Sequence, residues 1–353
     1  MDTFTEEKTI ALHATTHMEL RYGENPQQTP AYWYKMETDD PLALHKFEFL
    51  AGNPSMINIT DFDRALQTIT HIAAGMKMNF NERPFISVGV KHGNPCGASM
   101  NYVTNKAIMG MLQGNPISIF GGSIMCNFEI TTSEAELLVF MDNEKKKRRP
   151  FDIIVAPGVT EEALKILVRK DDKCLVAVNP ALHSLTVESL DCARLFRYVR
   201  GGMLTQPNHT FIMPIKHEEM KWYGSLEDQL YYDRNIILAW AVCATSTSNT
   251  ITLAQDNMII ANAVGQTDRV GAGELAGAIM EKIGHEKKNI VAVSDSFFPF
   301  PDGPQVLLKL GVKRILATSG SQKDNETIAL FDGKKGIQLV HIPNALARMF
   351  YGH

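Results

Sequence analysis

The sequence predicts an α/β layer fold, in which helices pack against a sheet. Three observations predict it: short apolar runs bounded by Gly, Pro or Asn, intervening segments whose apolar residues recur at helical spacing, and the return of this alternation in both halves of the 353-residue chain. A chain of this length holds two domains of ordinary size or one large domain.

In the first half, prolines punctuate residues 1–40, which are therefore predicted as loops and short strands. Apolar residues from Ala65 to Ala73 then recur at helical spacing, with Thr60 or Asp61 as the predicted N-cap. The other predicted elements are strands at 85–90, 151–156 and 175–178, and helices at 134–141, at 161–169 and from Ala98 onward.

Regularity falls between residues 179 and 221, and a long apolar helix is predicted at 228–243. The second half has predicted strands at 250–253, 258–263, 290–293 and 314–317, and helices at 273–283 and 305–310. In both halves an apolar strand leads into a polar turn and then a helix, which is a weak internal repeat. We therefore expect a first unit at 1–178, a linker at 179–235 and a second unit at 236–353.

Composition excludes several classes of protein. The 35 basic and 39 acidic residues give a net charge of −4, so no broad basic surface for nucleic acid is expected. No segment approaches the ~20 apolar residues that span a bilayer. The five cysteines are widely spaced without a C-x-x-C pair, which argues against a disulfide framework or a thiolate zinc site. We expect a cytoplasmic protein that binds neither nucleic acid nor membranes.

The segment Lys-His-Gly-Asn-Pro-Cys-Gly at 91–97 follows a predicted strand, which is where α/β folds commonly bind ligands. An imidazole at His92 could accept a proton from a nucleophile, and the ammonium of Lys91 could stabilise an oxyanion. The alternative is a tight connection whose histidine caps the next helix. Cys96 is interpreted as a structural thiol, and Asp61 and Asp63 as charges that offset a helix dipole.

A second segment, 295–304, interleaves three phenylalanines with prolines between acidic residues. Such a loop forms a rigid apolar slot suited to a flat heteroaromatic ring. The alternative is a core plug that closes one end of the sheet.

Six segments, in order along the chain, resemble the AICAR transformylases (phosphoribosylaminoimidazolecarboxamide formyltransferases). They are residues 20–28, 91–97, 119–122, 152–158, 248–249 and 294–300. The resemblance implies two tandem cytidine-deaminase-like α/β/α units without zinc. It also implies formyl transfer from 10-formyltetrahydrofolate to the 5-amino group of AICAR, giving FAICAR and tetrahydrofolate in purine biosynthesis.

The resemblance further assigns roles to residues. Lys91 and His92 match the family's catalytic pair. Positions matching the AICAR site are Arg21, Tyr22, Phe120, Gly121, Asp152, Lys170 and Arg348. Positions matching the folate site are Asn249, Arg269, Phe297, Pro299 and Asp302. A homodimer with shared active sites is implied, with no catalytic metal but with room for a structural potassium ion near Ser246, Ser248 and Asp295.

Three departures from the family pattern occur: Gln27 and Ala51 stand where His and Asn are usual, and residues 318–321 lack the usual proline. They leave open a transferase or hydrolase acting on a related ribonucleotide, or a catalytically silent nucleotide-binding homologue. Because the matching segments begin near residue 20, we expect a stand-alone transformylase without the IMP cyclohydrolase domain of its bifunctional relatives.

Overall fold

The computed structural model describes residues 9–141, 144, 146–169 and 174–352, and these residues form a mixed α/β fold. The strands are β1 Thr15–Leu20, β2 Ala31–Lys35, β3 Glu48–Ala51, β4 Phe85–Lys91, β5 Asn94–Asn101, β6 Ser123–Cys126, β7 Ile153–Ala156, β8 Leu175–Val178, β9 Arg194–Val199, β10 Gly202–Pro207, β11 Lys221–Ser225, β12 Ile251–Gln255, β13 Met258–Ala263, β14 Ile290–Ser294, β15 Val312–Ser319 and β16 Ile337–Pro343. The helices are α1 Met56–Phe80, α2 Thr104–Gly114, α3 Thr132–Val139, α4 Glu161–Leu167, α5 Gln229–Ala244, α6 Arg269–Ile283, α7 Asp302–Lys309, α8 Asp324–Ile328 and α9 Asn344–Ala347.

Twelve of these strands form one sheet in the order β11-β16-β15-β14-β12-β13-β5-β4-β6-β7-β8-β3. Outward from the β13–β5 junction, each half has two antiparallel pairings, then two parallel pairings, then an antiparallel edge strand. The helices between strands also follow one pattern in both halves. The two halves therefore share one topology without sharing residue identities. This agrees with the weak repeat of pattern that the sequence predicts.

The apolar residues divide between the two faces of the sheet, as the two-residue period of strands requires. On one face α1 and α5 share a core that spans both halves. Thr68 and Thr245, one from each helix, meet there through hydroxyl oxygens 2.8 Å apart. On the opposite face, α2, α3 and α4 cover the first half and α6 and α7 the second. Helices α1 and α5 thus pack against each other where the two halves meet.

Most predicted elements are confirmed within a few residues, but two predictions are wrong. Ala98 lies in β5, not in a helix, because a two-residue turn at His92 and Gly93 sends the chain straight back along β4. The N-cap of α1 is Ser55, whose hydroxyl and Asn58 form a capping box. Asp61 consequently lies inside the helix, is only 4% exposed, and does not serve the helix terminus.

The irregular region at 179–221 contains a hairpin that the sequence did not predict. Its strands, β9 and β10, pair only with each other among the described strands. Apolar side chains on this hairpin are exposed, with Tyr198 at 81% and Leu204 at 58%. Within the described ranges, no helix combines the length and the apolar character needed to cross a membrane.

Candidate active site

The turn between β4 and β5 holds the predicted catalytic pair at the centre of the sheet. His92 and Gly93 both have left-handed backbone conformations, with φ of 54° and 71°. Two consecutive positive φ angles are what a two-residue hairpin of type I′ needs. The imidazole of His92 is exposed, so the turn leaves it accessible to a small molecule.

Lys91 precedes this turn and reaches a second predicted site residue. Its Nζ donates a hydrogen bond of 2.7 Å to the carbonyl oxygen of Phe120. Gly121 has a φ of 77°, and a Cβ added there would lie 3.8 Å from Lys91 Nζ. Glycine thus meets the backbone requirement and leaves the ammonium uncrowded. The structure brings Lys91 together with Phe120, which follows it by 29 residues, and with the adjacent Gly121.

Opposite charges converge on Asp152, just before β7. Crowding by protein and the negative charge of Asp61 raise the pKa of the Asp152 carboxyl, while Arg169, Lys91 and Arg21 lower it. A carboxylate among these cations fits the polar end of a heterocycle that carries both donors and acceptors. These residues come from separate parts of the chain, and folding brings their charges close to one another.

Arg21 lies at the end of β1 and is exposed. Its Nη2 donates a hydrogen bond of 3.1 Å to Oδ1 of Asn58, and its guanidinium lies 5.6 Å from the ring centre of Tyr22. The contact with Asn58 ties Arg21 to the first turn of α1. An exposed, tethered guanidinium of this kind is suited to bind a phosphate.

Cys96 is beside the turn but its thiol is not activated. Burial, with a smaller contribution from the Asp61 carboxylate and against the opposing charge of Lys91, raises the pKa of Cys96 to about 12. The thiol therefore stays protonated near neutral pH, which makes it a poor nucleophile. This geometry supports the interpretation of Cys96 as a structural thiol.

A second cluster of polar residues lies in the other half of the molecule, around Asp295. This carboxylate is completely buried, and its Oδ1 accepts a hydrogen bond of 3.0 Å from Nη2 of Arg269. Its Oδ2 accepts from the hydroxyl of Ser248 and from the Thr250 amide. Burial raises the pKa of Asp295, and Arg269 is the strongest opposing influence. The pair fixes Arg269 at the start of α6.

Other residues predicted for this half lie close to that pair. Asn249 is half-buried and its Nδ2 donates a hydrogen bond of 2.9 Å to the carbonyl oxygen of Gln266. Ser246 is buried, and its hydroxyl accepts from Asn262. Among the described residues, no group of three or more His, Cys, Asp and Glu side chains could hold a metal ion.

The phenylalanines of the loop after Asp295 differ in burial, so the core-plug interpretation applies to one of them and the apolar-slot interpretation to the others. Phe298 is 2% exposed and packs in the core of the second half, so it is the plug. Phe300, by contrast, is 55% exposed, and Phe297 is half-buried. The expectation that all three rings line one slot is therefore wrong. Pro299 and Asp302 are exposed beside them, with Asp302 at the start of α7.

The C-terminal segment connects the two clusters. The ring centre of Tyr351 lies 3.8 Å from the guanidinium carbon of Arg64, and Arg64 donates to the carbonyl oxygen of Gly93. The guanidiniums of Arg348 and Arg269 lie 4.8 and 5.7 Å from the ring centre of Phe350. The tail is thus connected through Arg64 to the turn at His92 and Gly93, and it contacts Arg269 of the Asp295 cluster.

A cavity of about 650 Å³ opens beside this tail. Its lining includes Arg348, Phe350 and Tyr351 from the tail and Arg197 from the β9–β10 hairpin. The sequence offered no signal for Arg197 or Tyr351, since neither stands in a motif. Arg64 could have been found, because it follows Asp61 by three residues and so lies on the same helix face. Lys170 is outside the described residues.

Comparison with known proteins adds independent findings. Residues 1–279 match the model of the AICARFT/IMPCHase bienzyme family. Similar curated proteins include the bifunctional purine biosynthesis protein PurH of Bacillus mycoides (strain KBAB4), 31% identical over 345 residues, covering 94% of this chain and 59% of that protein. The PurH of Bacillus cereus (strain ATCC 10987 / NRS 248) is 32% identical over 337 residues, covering 92% of this chain and 58% of the relative. The chain thus spans less than two thirds of the length of these relatives.

Proposed function

Because this chain belongs to the AICARFT/IMPCHase bienzyme family, we propose that it transfers the formyl group of 10-formyltetrahydrofolate to the 5-amino group of AICAR. The products would be FAICAR and tetrahydrofolate, in purine biosynthesis. The observation that carries this proposal is the junction of Lys91, His92 and Phe120 at the centre of the sheet. A general base and an ammonium beside it are the groups that this acyl transfer needs.

In the proposed reaction, the amine nitrogen of AICAR attacks the formyl carbon while His92 accepts the amine proton. Lys91 stabilises the negative charge that develops on the formyl oxygen. The intermediate then collapses, the bond from the formyl carbon to N10 of the folate breaks, and the proton passes to N10. Positioning matters as much as acid–base chemistry here, because an aromatic amine is a weak nucleophile and a formamide a poor electrophile.

The polar residues around Lys91, His92 and Asp152 are the proposed AICAR site. Arg21 and Arg348 supply cations for the phosphate, and Lys170 is proposed to join them on the basis of the family resemblance. Asp152 and the backbone at Phe120 and Gly121 face the region where a carboxamide and base would lie. Tyr22 supports the guanidinium of Arg21.

The second cluster is the proposed folate site. Asn249 binds the carbonyl oxygen of Gln266 shortly before α6, at whose start Arg269 is held by Asp295. Phe297 and Pro299 lie in the loop before α7, and Asp302 begins that helix. The exposed and half-buried aromatic surface there suits a pterin ring. A structural potassium ion near Ser246, Ser248 and Asp295 also remains part of the proposal, since three oxygen-bearing side chains occur there.

The chain is proposed to consist of two tandem units and to form a homodimer. The units 1–178 and 236–353, joined by 179–235, would be tandem cytidine-deaminase-like units, an interpretation that the repeated strand order supports. The exposed apolar side chains of the β9–β10 hairpin favour a homodimer, because a second copy would cover them. A cytoplasmic location is proposed with it.

The direct test is to mix the purified chain with AICAR and 10-formyltetrahydrofolate and to follow tetrahydrofolate release by absorbance. Turnover that disappears in His92→Ala supports the proposal. Lack of turnover, or turnover that survives this substitution, contradicts it. Turnover with another ribonucleotide but not with AICAR would favour the related-substrate alternative, to which the departure at Ala51 points.

A further inference from the structure

The turn at His92 and Gly93 needs an external restraint. Both residues occupy the left-handed region, and an imidazole side chain disfavours that conformation relative to glycine. A turn of this kind can relax unless neighbouring groups hold its peptide units. Its exact shape matters because it sets the positions of the side chains of Lys91 and His92.

Helix α1 supplies the restraint from two side chains on one face. Oδ1 of Asp61 accepts a hydrogen bond of 2.6 Å from the Gly93 amide. Nε of Arg64, one turn later, donates a hydrogen bond of 3.2 Å to the Gly93 carbonyl oxygen. Both side chains are buried, at 4% and 6% exposure. The two backbone polar groups of Gly93 are thus gripped by buried charged side chains of opposite sign.

Burial disfavours the ionised form of the Asp61 carboxyl, and groups of the turn stabilise that form. Burial raises the pKa of Asp61, whereas the Gly93 amide, the charge of His92 and the His92 amide lower it. Other charged or titratable groups that face it are Arg64, Asp152 and Cys96. A buried carboxylate whose main partners are one catalytic turn is typical of functional sites.

We propose that Asp61 is a positioning residue for the formyl transfer, acting with Arg64 to hold the Gly93 peptide so that Lys91 and His92 face the substrates. The inference rests on the proposed function, since it assigns the turn its catalytic role. Asp61 acts through the backbone and does not contact the reacting atoms. Its loss should therefore lower kcat while leaving the KM for AICAR nearly unchanged.

Two variants and a control separate this role from simple stability. Asp61→Asn keeps an oxygen acceptor for the Gly93 amide but loses the charge, whereas Asp61→Ala loses both. We expect kcat to fall about 10-fold in Asp61→Asn and about 100-fold in Asp61→Ala, with KM for AICAR within about threefold of wild type. Asp63→Asn is the matched control, because Asp63 lies on the same helix but accepts from Gln67. Its kcat should equal that of the wild-type enzyme.

A measurement without substrates tests the contact itself. His92–Gly93 is the only His-Gly pair in the sequence, so carbonyl-¹³C histidine with ¹⁵N glycine gives a single amide resonance from Gly93. In the wild-type chain this resonance should show a pH-dependent shift from the ionisation of Asp61. That component should be lost in Asp61→Asn and kept in Asp63→Asn, over and above any shift that all three chains share. This experiment remains available if Asp61→Ala fails to fold.

The outcomes distinguish the two proposals. A Gly93 resonance that titrates equally in the wild-type chain and in Asp61→Asn overturns the role of Asp61. Wild-type values of kcat in Asp61→Asn and Asp61→Ala overturn it as well, whatever the resonance does. An inactive wild-type chain whose Gly93 resonance still depends on Asp61 overturns the proposed function instead.

Discussion

Nζ of Lys91 donates a hydrogen bond of 2.7 Å to the carbonyl oxygen of Phe120. This contact joins the end of β4 to the turn before β6, so two segments that the sequence separates lie side by side. An ammonium has three N–H donors, and the hydrogen bond to Phe120 uses one of them and orients the remaining two. The arrangement suits a group that must meet a developing negative charge in a fixed direction.

Replacing Lys91 with Met should lower kcat by a factor of about 10² to 10³, because the oxyanion would lose its nearest cation. The melting temperature should change little, since Lys91 is half-buried and its aliphatic part is preserved in Met. The same substitution at exposed Lys309 on α7 is the control and should leave both quantities unchanged. A fully active Lys91→Met enzyme would remove Lys91 from the mechanism.

His92→Gly should separate stability from activity. Glycine adopts the φ of 54° without steric conflict, so the variant should be no less stable and could gain up to about 1 kcal/mol in the free energy of unfolding. Formyl transfer should nevertheless be lost, because the variant lacks the imidazole that we propose as the general base. Urea unfolding and a turnover assay measure the two effects. A destabilised Gly variant would show that the imidazole is held for structural reasons.

Cys96→Ser should keep kcat within about threefold of wild type, because burial raises the pKa of this thiol to about 12 and leaves no nucleophilic thiolate. In the native protein, iodoacetamide at pH 8 should label exposed Cys192 and spare Cys96, as mass spectrometry of peptides would reveal. Loss of turnover on labelling of Cys96 would instead indicate a covalent mechanism.

Asp63 should make stability depend on pH. Burial and the nearby Asp191 raise the pKa of Asp63 from 3.8 to about 6. The folded protein therefore binds this proton more tightly than the unfolded chain, so stability falls as pH rises from 3.8 to about 6. Asp63→Asn should accordingly be more stable than wild type at pH 7.5, by up to about 3 kcal/mol, and should match it below pH 3.8. Denaturant unfolding at the two pH values measures this difference; an equal difference at both would contradict the assignment.

If the active sites are shared between subunits, two inactive chains should complement each other. A Lys91→Ala chain and a chain with both Phe297→Ala and Asp302→Ala are each expected to be inactive. Mixed heterodimers would regain one intact site in two, which amounts to about a quarter of wild-type activity after random exchange. Confirmed heterodimers without activity would place each site within one chain.

The local sequence was enough to locate most strands and helices, because periodicity and turn residues act over a few positions. It also pointed to Lys91 and His92 as a polar turn at a strand end, and the six matching segments identified the family. It failed at Ala98, where a run of small residues pairs with β4 instead of coiling, and at the hairpin formed by β9 and β10.

The role of Asp61 depended on tertiary structure. The sequence predicts Asp61 as a charge at the start of a helix. In the structure the helix begins after the N-cap Ser55, so Asp61 lies inside it, buried against Gly93. The contact between Tyr351 and Arg64 likewise depends on tertiary structure, because the two residues are far apart in sequence. Burial and charge are set by neighbours that folding brings together, and the spacing of residues along a chain does not encode which distant groups those will be.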